Sequence, residues 1–405
     1  MKKIYCFLLS IALVAWAAEC PAGVFTQVPG DTDGDCIIDT LDPAHPNAKG
    51  MHITGGDGFA VMGDGTVMYI FGFGDVTGVM PNMAMMEGMI GAELPSPTIV
   101  VDEGDELYLN LTNVGMVMRP DLFDAHTVHW HGFPQAASIY DGVPDAAISI
   151  KMGSTFTYYY NVIEPGTYLY HCHVEATEHL QMGMIGNLWV NPAQNKLADG
   201  TDLSGFTHHA GYKYAYNDGD GSTYYDVGFP IQITGFDSRF HMKSEKVQPL
   251  PFYEMVDNYA LMNGRGYPDT INPDPLPAPA ENGYKVSQKV SSLITAQQGE
   301  KILLRLSNVS VQRFYTLTTI GLPMKVVGKD ARLLRGPSPD GGITPGKDLY
   351  YTTNTATLGG GETMDVIIDT QGIAPGTYFL YTTNLNCLSN GEQDFGGPLT
   401  EIRIL

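Results

Sequence analysis

The chain has 405 residues, which at about 150 residues per domain predicts two or three domains. Asp and Glu total 44 against 22 Lys and Arg, and the formal net charge of -22 argues against nucleic acid as a partner, because phosphate backbones repel such a chain. The 47 glycines, 26 prolines and 23 tyrosines favour turn-rich β structure over helix bundles.

Residues 1–18 have the pattern of a bacterial-type signal peptide. Lys2 and Lys3 precede an apolar stretch over residues 4–15, and the small residues Ala15 and Ala17 at its end suit cleavage. The stretch is too short to span a bilayer, and no later stretch is long and apolar enough. We therefore expect an exported protein, periplasmic or extracellular, without a membrane span. Export permits disulfides, and Cys20 with Cys36 is the plausible pair, while Cys387 has no assigned role.

The segment 19–50 is rich in aspartate. Carboxylates at alternate positions of a tight loop can converge on one hard cation, and the stretch resembles calcium loops of the thrombospondin type 3 kind. The candidate calcium ligands are Asp31, Asp33, Asp35, Asp39 and Asp42. The alternative is a polar linker after the signal peptide; we favour calcium with a structural role.

A methionine-rich stretch occupies residues 80–89. Thioethers are soft ligands that suit Cu(I). Methionine also fills irregular gaps in a core or loop, and we slightly favour this second explanation.

An internal repeat organises the rest of the chain. Residues 104–114 match residues 299–309, both with leucine at alternate positions, and residues 165–171 match residues 375–381. The repeat predicts two homologous β domains, at about 51–195 and 226–405, joined by a linker over 196–225. Short strands between Gly, Pro and Asn turns predict an all-β fold of two Greek-key β-sandwiches.

Metal-binding side chains are concentrated in two segments of the first domain. Residues 126–132 read HTVHWHG, and residues 171–184 read HCHVEATEHLQMGM. Because residues two apart on a strand share a face, His129 and His131 point one way and His126 the other. His171 and His173 likewise share one face, opposite to Cys172.

A thiolate, two imidazoles and a weak thioether define a blue type 1 copper site. The predicted ligands are His126, Cys172, His179 and Met184. The remaining imidazoles form a second copper-binding set, which consists of His129, His131, His171 and His173. Electrons can pass between the two sites through the covalent bonds that join Cys172 to His171 and His173, and these three residues are the expected catalytic ones.

These motifs resemble the type 1-bearing domain of multicopper oxidases such as laccases and ascorbate oxidases, and copper nitrite reductases resemble it too. The resemblance implies tandem cupredoxin-like domains, and it assigns the second histidine set to the type 2 and type 3 coppers of an oxygen-reducing cluster. The family's five-residue step from the ligand histidine selects Met184 over Met182 as the axial ligand.

The second domain departs from the family pattern. Tyr381, Thr382 and Thr383 stand where the first domain has His171, Cys172 and His173, and the chain has no histidine after His241. Tyr315, Thr318 and Ile320 stand near the positions of His126, His129 and His131. A cluster of the family's usual kind takes eight imidazoles, of which this chain offers four.

The sequence thus predicts a multicopper oxidase that oxidises a phenol or a reduced metal ion and passes the electrons to O₂. A nitrite reductase-like enzyme and a non-enzymatic blue copper carrier are the alternatives. Because half of the cluster is missing, we expect a homo-oligomer in which first domains meet face to face across a two-fold axis. A smaller copper site in a monomer is the competing outcome.

Overall fold

The computed structural model describes residues 28–246, 249–341 and 344–405. The predicted signal peptide and Cys20 lie outside these residues, so that the predicted disulfide of Cys20 with Cys36 stays a prediction. No helix in the described ranges is long and apolar enough to cross a membrane.

The first domain is a sandwich of two four-stranded sheets. One sheet has the order β2-β1-β4-β6, with β1 Ala48–Val61, β2 Val67–Asp75, β4 Glu106–Gly115 and β6 Thr155–Asn161. The other has the order β3-β8-β7-β5, with β3 Ser96–Asp102, β5 His129–His131, β7 Gly166–His171 and β8 Ile185–Asn191. Alternate apolar residues of both sheets, such as Leu107, Leu109 and Leu111 of β4, form the core between them.

The second domain has the same plan. Its first sheet has the order β14-β13-β16-β22-β18-β19, with β20 also paired to β18. The strands are β13 Val227–Phe236, β14 Tyr259–Met262, β16 Lys301–Asn308, β18 Met324–Lys329, β19 Arg332–Leu333, β20 Tyr351–Thr353 and β22 Thr363–Asp369. The second sheet has the order β15-β26-β23-β17-β21, with β15 Ile294–Ala296, β17 Tyr315–Thr319, β21 Thr355–Leu358, β23 Gly376–Thr382 and β26 Leu399–Ile404.

The order of the strands confirms the all-β, duplicated architecture expected from the repeat. β1, β4 and β6 of the first sheet correspond to β13, β16 and β22, and β8, β7 and β5 correspond to β26, β23 and β17. In both domains a parallel pair joins the first long strand to the strand of the leucine repeat, β1 to β4 and β13 to β16.

Short β-hairpins lie outside the main sheets of the two sandwiches. Residues 196–225, expected to be a linker, contain two small hairpins, β9 Asp202–Leu203 with β10 Phe206–Thr207 and β11 Lys213–Tyr214 with β12 Tyr224–Tyr225. Tyr216 and Tyr225 of this segment pack against Leu303 and Val327 of the second domain. A last hairpin consists of β24 Ser389–Asn390 and β25 Gln393–Gly396.

Among the described residues, three α-helices lie between strands: α1 Pro81–Gly88, α2 Ala176–Met182 and α3 Ser238–Lys246. The methionine-rich stretch forms α1 and its two ends. Met80, Met83, Met86 and Met89 expose 38 to 55% of their surface, so that these side chains do not fill a core gap.

A buried polar contact fixes the two domains against each other. The Thr363 hydroxyl donates to the carbonyl of Thr167 over 2.8 Å, and the Arg305 guanidinium donates to the Thr167 hydroxyl over 2.8 Å. Arg305 also pairs with the buried Asp365 at 3.6 Å. Since Thr167 lies in β7, the strand that ends at His171 is hydrogen-bonded to the second domain.

Candidate metal centre

The metal-binding side chains converge at one end of the first sandwich. β5 and β7 are antiparallel neighbours with His129 opposite His171, which places these two imidazoles on the same face. Cys172 follows β7 directly, and the chain then forms α2 before it enters β8. Gly183 ends α2 with a φ of 114°, a left-handed conformation that favours glycine, and its N–H donates to the carbonyls of His179 and Leu180.

The first group surrounds the Cys172 thiol. Its Sγ lies 3.9 Å from Nδ1 of His126 and 3.1 Å from Nδ1 of His179, and all three side chains are buried. The three ligand atoms lie within 4.8 Å of one another. One thiolate and two imidazole nitrogens are the donor set of a type 1 copper site.

Met184 lies beside His126 on the wall of this group. A methyl group at Gly55 of β1 would lie 2.9 Å from Cδ2 of His126 and 3.4 Å from Cε of Met184. The backbone fixes Met184 on both sides, since its N–H donates to the carbonyl of His179 over 2.9 Å and its carbonyl accepts from Cys172 N–H over 3.2 Å. Met182 is equally buried in the core.

The electrostatics of the first group favour metal binding. Burial acts to raise the pKa of the Cys172 thiol, but the nearby His179 and His126 lower this pKa well below its ordinary value. Burial alone would lower the pKa of His179, yet Cys172 and Asp124 raise it to about 10. The thiolate is the form that binds copper, so that the lowered pKa favours the form of Cys172 that metal binding requires.

Two carboxylates lie next to His179 on the solvent side. Asp124 Oδ2 is 3.9 Å from Nε2 of His179. Ligand atoms of Asp124, Glu175 and His179 lie within 4.8 Å of one another, with Glu175 exposed, Asp124 partly exposed and His179 buried. The surface beside the buried imidazole is therefore acidic.

The second group contains His129, His131 and His171, whose ligand atoms lie within 4.8 Å of one another. Nδ1 of His171 is 2.9 Å from the carbonyl of Cys172, and Nδ1 of His129 is 2.6 Å from the carbonyl of Asp141. These contacts orient both rings and leave the Nε2 atoms for a metal. Burial lowers the pKa of His171 to about 3 and lowers those of His129 and His131, so that the rings are neutral and able to ligate.

His173 completes the predicted set. Its ring centroid is 5.1 Å from that of His129 and 5.6 Å from that of His171, although it is not part of the three-residue group. The structure therefore brings all four histidines of the second predicted set together.

A cavity of about 460 Å³ opens over the four histidines, and the second domain forms its other wall. The second-domain residues are Val309, Ser310, Val311, Gln312, Arg313, Phe314, Gly360 and Gly361. His131 is exposed at this cavity, and a methyl group at Gly361 would lie 2.9 Å from its Nε2. None of these second-domain residues carries an imidazole.

The second domain holds no equivalent group in the described residues. Thr318 pairs with Tyr381 in the register that His129 has with His171 in the first domain. Groups of three metal-ligating His, Cys, Asp or Glu side chains in the described ranges all lie at or before His179. Cys387 is buried and accepts a hydrogen bond from Arg313 Nη1 over 3.1 Å.

The aspartate loop gathers three of its five predicted calcium ligands, Asp31, Asp33 and Asp39. Its carboxylates also organise the loop itself: Asp31 accepts from the N–H groups of Gly34 and Cys36, and Asp39 accepts from Thr32. Asp35 and Asp42 lie outside the group and accept from Ile37 and Ala44. Calcium binding stays a prediction.

Sequence reasoning missed several neighbours of the two centres. Asp124 could have been found from its position two residues before His126, on the same face of an extended segment. Gly55 belongs to an Ile-Thr-Gly sequence that recurs at residues 233–235, a further trace of the duplication. The second-domain wall and Asp141 carry no sequence signal.

Two family models, both described as multicopper oxidase, match residues 79–195 and 243–396. Copper resistance protein A of Escherichia coli is 26% identical over 305 residues, 70% of this chain and 43% of that protein. Multicopper oxidase MCE of Talaromyces pinophilus is 35% identical over 132 residues, 32% of this chain and 19% of that protein. The chain thus spans less than half the length of these curated relatives.

Solved structures show the same fold. A blue copper oxidase from Nitrosomonas europaea aligns over 87% of this chain and 85% of its own, with 24% identity and a TM-score of 0.59. A copper nitrite reductase from the same organism aligns over 88% and 92%, with 16% identity and a TM-score of 0.52.

Fold and comparisons together define a copper protein built from cupredoxin-like domains. The chain belongs to the multicopper oxidase family, whose members are oxidoreductases.

Proposed function

We propose that this protein takes single electrons from a reducing substrate at a type 1 copper and passes them to O₂ at a histidine-rich copper centre. The observation that carries the proposal is the position of Cys172. Its thiol faces two imidazole Nδ1 atoms, at 3.1 and 3.9 Å, while the adjoining His171 belongs to the second group. One residue of the chain thus links two metal-binding groups.

The donor sets fit copper in both groups. His126, Cys172, His179 and Met184 would hold the type 1 copper, and His129, His131, His171 and His173 would hold the second centre. Bound copper supplies one-electron exchange at both, while the protein fixes geometry and potential. Cys172 and His171 supply the covalent path between them, and the carbonyl of Cys172 orients the His171 ring.

The reducing substrate is proposed to bind at the acidic surface formed by Asp124 and Glu175. His179, which would ligate the type 1 copper, is buried next to these carboxylates, with its Nε2 3.9 Å from Oδ2 of Asp124. Two carboxylates attract cations, so that a reduced metal ion is favoured over a phenol. The net charge of -22 supports the same preference.

We propose that association of chains brings further imidazoles to the second centre. Three imidazoles of one chain suffice for a single copper, whereas a larger cluster needs nitrogens from elsewhere. His131 is exposed at the open cavity, and a two-fold contact between first domains would present the same histidines twice. Light scattering combined with copper counting tests this step: an O₂-reducing monomer would contradict it.

The proposed function is tested with the purified, copper-loaded protein. Oxygen consumption is measured with a ferrous or cuprous salt and with a phenol as reductants, together with the blue absorption band. We expect reductant to bleach the band and O₂ to restore it. A blue protein with one copper per chain that O₂ does not reoxidise would be an electron carrier, and the proposal would fail.

A nitrite reductase-like activity is the second candidate. The observation that favours it is the single-metal group of three imidazoles, which suits one type 2 copper beside the type 1 site. Nitrite in place of O₂ in the reoxidation assay separates the two. Rapid reoxidation by nitrite and none by O₂ would select this candidate.

Two finer proposals concern the N-terminal part. We propose export, from the signal-peptide pattern of residues 1–18, and a structural calcium ion in the aspartate loop. Mass measurement of the mature protein tests the first, and metal analysis with a calcium chelator tests the second.

A further inference from the structure

One buried histidine of the second domain is not used by either copper centre. His241 lies in α3 and is only 1% exposed. Its ring lies between two elements of the first domain, with Nδ1 2.6 Å from the carbonyl of Tyr69 in β2 and Nε2 2.8 Å from the carbonyl of Gln181 in α2. A single imidazole thus connects two elements of the other domain.

The contact with Gln181 completes a helix end. The last four carbonyls of an α-helix have no partner within the helix. In α2 the carbonyls of His179 and Leu180 accept from Gly183, and His179 also accepts from Met184. The carbonyl of Gln181 instead lies 2.8 Å from Nε2 of His241, and it accepts a hydrogen bond in the tautomer that carries the ring proton on Nε2. In this tautomer the C-terminal turn of α2 is capped by a side chain from another domain.

Other second-domain residues contact the same turn. The Phe236 ring lies 4.6 Å from the His241 ring, between centroids. A methyl group at Gly183 would lie 3.6 Å from Cζ of Phe236. Phe236 and His241 therefore enclose the turn from one side.

This turn separates two proposed copper ligands. His179 lies two residues before Gln181, and Met184 lies three residues after it. The N–H of Met184 donates to the carbonyl of His179, so that the two ligands share one hydrogen-bonded loop. A shift of α2 would move the imidazole and the thioether relative to Cys172, which β7 holds in place.

We propose that His241 is a positioning residue for the type 1 site, which holds the ligand loop 179–184 through the carbonyl of Gln181. The proposal rests on the proposed function, because it assigns His179 and Met184 to copper. The second domain then has a role at the copper site without contributing a ligand. Its first strand, β13, and α3 pack against the ligand loop of the first domain.

Hydrogen exchange on the copper-free protein tests the contact itself. His241→Leu removes both ring nitrogens and introduces an apolar side chain of similar length. His241→Gln replaces the ring with a side-chain amide that can still donate a hydrogen bond. In the Leu variant we expect the amides of Gly183 and Met184 to exchange about tenfold faster, as for the loss of one buried hydrogen bond. The Gln variant should recover part of the protection.

His208→Leu is the matched control. His208 is also fully buried, and its Nδ1 lies 2.9 Å from Oη of Tyr214 in the segment between the domains. Its loss should leave the amides of Gly183 and Met184 unchanged. Amides of β22 report whether each variant is folded, and His241→Met replaces the Leu variant if that one does not fold. Unchanged exchange of the loop in a folded apolar variant would overturn the proposal.

The copper-loaded variants test the consequence for the site. We expect His241→Leu to remain blue with a changed copper hyperfine splitting and reduction potential, His241→Gln to lie between it and the wild type, and His208→Leu to match the wild type. Wild-type spectra and potential in His241→Leu would overturn the positioning role. A wild-type protein without a type 1 signal would instead contradict the proposed function, while the exchange experiment would still report on the contact.

Discussion

The two β-sandwiches share a strand order and differ in what lies at the end of equivalent strands. β7 leads into Cys172, whose thiol faces two imidazole nitrogens. β23 ends at Thr382, whose hydroxyl accepts a hydrogen bond from the N–H of Asn384 over 3.2 Å. The scaffold therefore forms with or without metal-binding side chains.

The glycine of the Ile-Thr-Gly sequence, which occurs once in each domain, has different neighbours in the two domains. Gly55 leaves room for His126 and Met184. Gly235 leaves room for Asp257 and Tyr315, whose carboxylate and hydroxyl groups a methyl group placed there would contact. In the second domain the neighbours of this glycine belong to a polar cluster, in which Arg313 donates to Cys387 Sγ and to the carbonyl of Asp257.

The largest expected effect comes from substituting the buried thiols of Cys172 and Cys387 separately. Cys172→Ser should abolish the blue colour completely, because a hydroxyl cannot provide thiolate-to-copper charge transfer. Cys387→Ser should leave the colour unchanged, since the Cys387 thiol faces Arg313 and no imidazole. Absorption spectra of the copper-loaded variants measure both. A blue Cys172→Ser protein would remove the proposed type 1 site.

The second centre can be broken without the first. His129→Ala should lower acceptor reduction by about 100-fold or more and remove copper, while the blue band remains, because His129 belongs to the second group alone. Thr318→Ala, at the equivalent register position of the second domain, should have no effect. Steady-state turnover and copper analysis measure the difference. Equal turnover in the two variants would contradict the assignment.

Paired glycine substitutions sharpen the comparison. Gly55→Ala and Gly235→Ala each force a neighbour to move and should lower the free energy of unfolding by about 1–3 kcal/mol. Only Gly55→Ala should also shift the blue band, since its methyl group would press on His126 and Met184. Denaturant unfolding and absorption spectra are the measurements. The same spectrum in both variants would mean that Gly55 does not border the copper site.

The smallest effect concerns the aspartate loop. If its carboxylates bind calcium, a chelator or Asp33→Ala should lower the melting temperature of the first domain by about 2–4 °C, as for a loss of about 1 kcal/mol in a domain of about 150–250 residues. The blue band should stay, because hard oxygen ligands do not hold the type 1 copper. Thermal unfolding followed at this band tests both. A melting temperature insensitive to chelator and to Asp33→Ala would leave the loop without calcium.

The duplication and the metal-binding residues could be predicted because local patterns encode them. Alternating leucines identify β4 and β16, and a cysteine with two flanking histidines on a strand places donors on opposite faces. The second-domain wall of the cavity and the contact of His241 with Gln181 could not be predicted, since they depend on how the sandwiches pack. The exposure of the methionines around α1 likewise follows from tertiary packing.

The account rests on two copper centres in the first domain and none in the second. Copper analysis with electron paramagnetic resonance of the purified protein tests this most directly. We predict one type 1 signal per chain and at least one further copper, with the type 1 signal lost in Cys172→Ser and the further copper lost in His129→Ala. A single copper per chain, or a type 1 signal that survives Cys172→Ser, would contradict the account.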